Sequence, residues 1–328
     1  EKGHIRMVEI NADTPCFIVE SFYANGVAAE HFGRRDPNAG ARTQLRDFLT
    51  QIHARLAAPV ADLTKGTLPP RPFVFSCFDD YPEDLANTRF LMQLMQEGAP
   101  HGDIRFRSFY EMEIDDEGIP LIDNRYATAL YRLHPMEILI DERTADGEPL
   151  GAMFLDLYQE GRFAMMNPPE AILLQNKSFM ALVHALAASE QFFSPDECAL
   201  VRRYLVPSYF EDDFDALVDG RYIRKEIWGR EGRNVCVVQK HCNEHTTAFE
   251  KEIDYADEVI CRESRAAMYQ DFIAQPRFVH TVDSGTIEGC LTLSCFMLFD
   301  TPSAVGARFS PAEIAGTEAY FVPLVVAE

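Results

Sequence analysis

The chain has 328 residues, 47% hydrophobic and 11% aromatic, enough for two domains or one large composite domain with a sizeable core. A formal net charge of -22 argues against nucleic acid as a partner, because affinity there comes mainly from neutralised phosphates. The same charge permits a cationic or amine substrate drawn in by the overall field, and equally a plain acidic surface.

No apolar run approaches a membrane span, so no membrane partner is expected. The chain opens on Glu1 rather than Met, which leaves the natural N-terminus open. Its eight cysteines show no CxxC, and several sit in apolar runs such as Phe75–Phe78. Buried thiols in a reducing cytoplasm are the expectation.

Met7–Pro15 reads as a strand end running into a turn. Strand side chains alternate, so Ile5, Met7, Glu9 and Asn11 share a face that begins apolar and ends in a carboxylate and an amide. A half-buried carboxylate needs a positive partner. A hard cation held partly by protein oxygens and partly by phosphate would serve, as would plain solvent around a strand end.

Helical spacing follows over Cys16–Phe32 and Ala41–Ala58, then a proline-containing connector over Pro59–Pro72. Phe73–Phe78 reads as a buried strand, Glu83–Glu97 as a helix, Ile104–Phe109 and Ala127–Leu133 as strands. This alternation predicts a small parallel α/β unit. Helices are expected over Glu148–Glu160, Asn176–Phe192 and Ser194–Tyr204, with a strand at Phe163–Met166. From Tyr222 to Val279 the pattern is of strands with irregular links. Thr286–Phe299 reads as a long core strand, and Val305–Phe309 and Ala319–Val326 as closing strands.

Lysine is scarce: Lys2, Lys65, Lys177, Lys225, Lys240 and Lys251 are the full set. Lys177 stands at the start of a predicted helix, where partial positive charge disfavours a cation unless an anion binds there too. Lys225 lies between Ile223 and Ile227 on one strand face, so it either snorkels outward or reaches an anion. The glycine-containing loop Gly229-Arg230-Glu231-Gly232-Arg233-Asn234 comes immediately after, with backbone N–H groups free to approach phosphate or merely to turn the chain. Arg308 follows a long apolar strand, and its planar fork suits phosphate or carboxylate.

Together these stretches resemble the synthetase part of the glutathionylspermidine synthase family, an ATP-grasp ligase group. The resemblance runs in order over nearly the whole chain. It is carried by Glu9-Ile10-Asn11-Ala12-Asp13-Thr14, Asp79-Asp80-Tyr81-Pro82-Glu83-Asp84 and Arg132-Leu133-His134-Pro135-Met136-Glu137. It continues through Asn176-Lys177, Lys225-Glu226 with the glycine loop, Tyr269-Gln270 and Arg308. The resemblance implies an α/β (α+β) ATP-grasp fold with an inserted pre-ATP-grasp-like α/β domain. Residues 1–71 would form the first part of the core, 72–146 the inserted domain, and 147–328 the remainder, with a lid over roughly 208–282.

It also implies ATP and Mg²⁺, with a peptide or small-molecule carboxylate such as glutathione joined to an amine such as a polyamine through an acyl phosphate. Glu9 and Asn11 would hold Mg²⁺. Lys177, Lys225, Gly232 and the Gln270 region would bind ATP, and Arg230 and Arg308 would act at the reacting groups. Arg230 and Thr14 would touch the carboxylate substrate, and Glu83 and Asp84 would face the amine. As residues alone, Pro82 with Glu83 and Asp84 is also ordinary helix N-terminal chemistry.

The family's Glu-Pro-x-Trp appears here as Asn167-Pro168-Pro169-Glu170, Lys225 is followed by Glu226 rather than proline, and no amidase domain is present. These departures frame a rival reading, a nucleotide-binding homologue that no longer ligates. A rival of another class is a zinc protein using Cys236, His241, Cys242 and His245, soft ligands whose spacing matches no standard zinc pattern. Oligomeric state is not legible.

Overall fold

The structure is a computed structural model. It describes residues 5–56, 72–121, 125–230, 232, 234–240, 242–243, 246–247, 250–254, 266–282, 285–316 and 319–327. The chain is mixed α/β, with both parallel and antiparallel sheets. It divides into two compact units. One comprises Ala12–Ile172, Leu293–Ala307 and Pro323–Glu328; the other comprises Glu1–Asn11, Leu173–Thr292 and Arg308–Val322.

The first, an α/β unit, begins with a π-helical turn, Glu20–Ala24, running into α1 (Asn25–His31), and then α2 (Ala41–Leu56). β1 (Phe73–Cys77), α3 (Pro82–Gly98), β2 (Ile104–Ser108) and β3 (Ala129–Leu133) follow. α4 (Met136–Leu139), α5 (Leu150–Gln159) and β4 (Ala164–Met165) complete it. The four strands form a parallel sheet in the order β2-β1-β3-β4, with Phe75 opposite Phe106 on one side and Tyr131 on the other.

β1 and β3 are buried at every position, as parallel strands covered on both faces must be. Alternation sends Phe73, Phe75 and Tyr131 into a core with Leu45 and Leu49 of α2 and Leu91, Leu94 and Met95 of α3. Val74 and Leu130 face a second core, built with Met136, Leu139, Phe154 and Leu157. The expected parallel unit is therefore present.

In the antiparallel unit, α6 (Ile172–Gln175) is followed by α7 (Ser178–Ser189) and α8 (Pro195–Tyr204). Ser194 and Glu197 close a capping box at the start of α8. A five-stranded sheet uses β5 (Ser208–Phe210), β6 (Gly220–Glu226) and β7 (Cys236–Lys240). A two-stranded pair, β8 (Cys242–Asn243) and β9 (Thr246–Thr247), comes next, then β10 (Glu250–Asp254) and β11 (Ala267–Asp271). The five-stranded order is β10-β7-β6-β11-β5. A further antiparallel sheet joins β12 (Arg277–Val282), β13 (Gly285–Leu298), β14 (Thr301–Ser310) and β15 (Tyr320–Phe321). By residue membership β13 and β14 contribute to both units.

Four expectations are corrected. The opening stretch is not a strand: Met7 makes one isolated parallel bridge, to Leu205, and Ile5 is 71% exposed. With a single bridge there is no sheet face to bury the alternating side chains. β13 has the expected extent, but of its 14 residues only Gly289 and Cys290 are buried, so it is not a core strand. The closing strand shrinks from 319–326 to the two residues of β15. Cys236 is disulfide-bonded, against the expectation of unpaired thiols. Among the described residues, no single helix is long and apolar enough to cross a membrane.

Candidate functional site

Residues 6–9 are held in the antiparallel unit by both backbone and side-chain hydrogen bonds. Met7 N–H donates to the Tyr204 carbonyl at 2.6 Å, and Val206 N–H donates to the Met7 carbonyl at 3.1 Å. The Val8 carbonyl accepts from Gln270 Nε2 at 3.0 Å and from Lys225 Nζ at 3.4 Å. Gln270, 2% exposed on β11, also donates to Ser208 Oγ at 3.0 Å. Its side chain is thus committed to fixing the residue before Glu9.

The two lysines are set side by side by main chain. Lys225 sits on β6, and Ile227, just beyond that strand, accepts at 3.0 Å from the N–H of Lys177 at the start of α7. Lys177 Nζ then lies 3.4 Å from a carboxylate oxygen of Glu9. The anion that its position at a helix start called for is therefore a side chain of this chain. Arg308, on β14 opposite Phe321, acts on the same carboxylate.

The electrostatics agree with that geometry. Burial alone would raise the Glu9 carboxyl. The charges of Lys177 and Lys225, the hydrogen bond from Lys177, and Arg308 together outweigh it and hold the pKa below the ordinary range. Glu9 nonetheless keeps 39% of its side-chain surface open, so it is surrounded by protein but reached by water. Lys225 is pulled down to about 8, chiefly by burial; Glu9 partly offsets this and Lys177 adds to it. One carboxylate and three cations therefore meet.

Asn11 is exposed. Arg230 is half-buried, just past a turn closed by Gly229 N–H to the Glu226 carbonyl at 3.1 Å. Gly232 has φ +72°, and a Cβ there would come within 2.9 Å of the Ala315 carbonyl, so glycine is required. Glu231 and Arg233 lie outside the described residues. Thr14, Glu83 and Asp84 belong to the α/β unit. Thr14 is buried, while Glu83 and Asp84 occupy the first turn of α3 behind Pro82, as ordinary helix-start chemistry also predicts.

Residues 1–327 match the family model described as glutathionylspermidine synthase preATP-grasp. The chain belongs to this family. Synthetases give the family its name, which points to an enzyme of the ligase class.

For a member of the glutathionylspermidine synthase family, the donor chemistry suits magnesium and phosphate. Glu9 and Asn11 offer hard oxygens, and the cations around Glu9 outnumber it. Among the described residues no group of three His, Cys, Asp or Glu side chains could hold a metal ion alone. Mg²⁺ does not need one, since phosphates and water commonly complete its shell. The zinc reading loses support at Cys236, which is disulfide-bonded rather than a free thiolate. His241 and His245 lie outside the described residues, and the Cys242 side chain is not described.

Sequence reading missed one constellation. Asp13 and Arg132 are both fully buried in the α/β unit and form an ion pair, with Asn167 bridging their main chains. The available signal was an arginine at the fourth position of an otherwise apolar five-residue strand, which must find a partner when buried.

Proposed function

We propose that the protein is an ATP-dependent ligase that joins a carboxylate to an amine through an acyl phosphate. The observation that carries this reading is the meeting of Glu9 with Lys177, Lys225 and Arg308. A carboxylate does not condense with an amine at neutral pH, and ATP, when bound with Mg²⁺, supplies a transferable phosphoryl group. What this chain adds is charge and position.

Lys177 and Lys225 would bind phosphate oxygens, and Glu9 and Asn11 would hold the metal. Arg308 stabilises charge on the transferring group. Arg230 and Thr14 would orient the carboxylate substrate, Glu83 and Asp84 would hold the cationic amine by charge-assisted hydrogen bonds, and Gly232 would bind ATP through its backbone. Gln270 supports the nucleotide by keeping the segment before Glu9 in place. In this reading 1–71 and 147–328 make the ATP-grasp core, 208–282 its lid and 72–146 the inserted domain. The covered intermediate is protected from hydrolysis.

The test is ADP release by a full-length protein offered glutathione and spermidine as first probes, then other peptides and polyamines. Turnover that needs both an acid and an amine, and that disappears in Glu9→Ala and Lys225→Ala, supports the proposal. Unchanged turnover in either variant removes it. Nucleotide binding without any acid-dependent and amine-dependent turnover would favour the non-ligating homologue, for which Glu226 in place of proline is the motive.

A further inference from the structure

Asp13 and Arg132 carry charge into the interior of the α/β unit, each fully buried. A buried ion pair is a poor device for stability alone. Apolar residues of similar volume commonly do as well or better, because desolvation cancels most of the attraction. What such a pair does supply is a single geometry.

That geometry is heavily specified at residue 13. Arg132 Nη2 donates to Asp13 Oδ1, and Nη1 donates to Asp13 Oδ2 at 3.4 Å and to the His134 carbonyl. Asp13 Oδ2 also accepts from the Met136 N–H at 2.9 Å. The Asp13 carbonyl accepts from Asn167 Nδ2 at 2.9 Å. Asn167 in turn donates to the Arg132 carbonyl at 2.7 Å and accepts from the Arg132 N–H at 3.3 Å. Residue 13 is gripped by side chain and main chain together. Arg132 stands on an interior strand of the parallel sheet, a rigid support.

We propose that Asp13, Arg132 and Asn167 form a positioning clamp that fixes the turn bearing Asn11 and Thr14. The proposal rests on the ligase reading above, which gives Asn11 to the metal and Thr14 to the carboxylate substrate. Asn11 is two residues before Asp13 and Thr14 one after, so an error in residue 13 passes directly to both. None of the three clamp residues need touch substrate. The arginine fork is essential, because a lysine's ammonium cannot make two parallel bonds to one carboxylate.

The test compares the full-length wild type with Arg132→Lys and with the double variant Asp13→Asn/Arg132→Met. The double variant keeps the interior free of an unpaired charge, so it folds even if a single change does not. The first readout is amide hydrogen exchange over residues 10–17. Exchange at least tenfold faster in the double variant, with Arg132→Lys between it and wild type and melting temperatures preserved, is expected. Unchanged exchange overturns the clamp whatever the enzyme does.

The second readout is Mn²⁺ affinity in the presence of a non-hydrolysable ATP analogue, expected to fall about 10- to 100-fold, as for other supporting residues of metal sites. Faster exchange with unaltered Mn²⁺ affinity leaves a purely structural lock and overturns the positioning role. A wild type that binds no nucleotide overturns the ligase reading instead, and with it the positioning role. Exchange then decides whether the lock exists.

Discussion

Replacing Lys225 by methionine is expected to stabilise the protein while removing the proposed nucleotide site. Lys225 is 9% exposed, and its pKa falls from 10.5 to about 8, first because burial penalises the ammonium. At roughly 1.4 kcal/mol per tenfold change in proton affinity, holding that charge costs about 3 kcal/mol of stability at pH 7. The sign follows from proton counts. Between pH 8 and 10.5 the unfolded chain binds the proton and the folded protein has lost it, so wild-type stability rises with pH across that window. Below pH 8 both states are protonated and the penalty is fully present.

Lys225→Met has no such group. Denaturant unfolding of both proteins at pH 7, 8, 9 and 10 isolates the effect, because Glu9, whose carboxyl Lys225 also shifts, is ionised throughout that window. The wild type should gain about 2–3 kcal/mol on the variant between pH 7 and 10. Parallel stability curves would refute the reasoning. A companion measurement uses ligand: a polyphosphate beside Lys225 restores its proton, so nucleotide binding at pH 8 should take up about half a proton. Calorimetry in two buffers of different ionisation enthalpy reads this directly.

Two further outcomes are expected. Gln270→Ala removes the donor to the Val8 carbonyl and to Ser208 Oγ. It should cost about 1–3 kcal/mol in denaturant unfolding and raise the KM for ATP, through the looser residue before Glu9; an unaltered KM would deny Gln270 a supporting role. Gly306→Ala places a Cβ 2.6 Å from both the Phe17 ring and Ser21 Oγ. Phe17 already has φ +69° and little room to yield, so a loss of about 1–3 kcal/mol in thermal unfolding is expected, and a change within 0.5 kcal/mol would show that the contact relaxes freely.

The α/β unit was legible because its signals are local. Short strand-like runs, apolar in β1 and β3 and alternating in β2, separated by an amphipathic stretch, gave β1, α3, β2 and β3 within a residue or two. The helix expected over Ser194–Tyr204 is α8, which Ser194 and Glu197 cap. The opening stretch was misread because period-two alternation was mistaken for sheet membership. Met7 pairs with the chain just after α8, and nothing in Met7–Pro15 encodes a partner almost 200 residues away. β13 failed as a core strand for a related reason: an apolar run does not say which face will be covered.

The site was legible through scarcity rather than pattern. In a chain with six lysines and a net charge of -22, two lysines in electrostatically awkward places demanded an explanation. The structure brings both to Glu9. A single counterion does not settle the account. A lysine fully compensated by its surroundings would keep its ordinary pKa, and Lys225 at about 8 is not compensated. The uncompensated part is a standing affinity for anions, largest for one with several negative charges within reach of Lys177 and Lys225 at once. That demand favours the proposed nucleotide polyphosphate over a lone carboxylate.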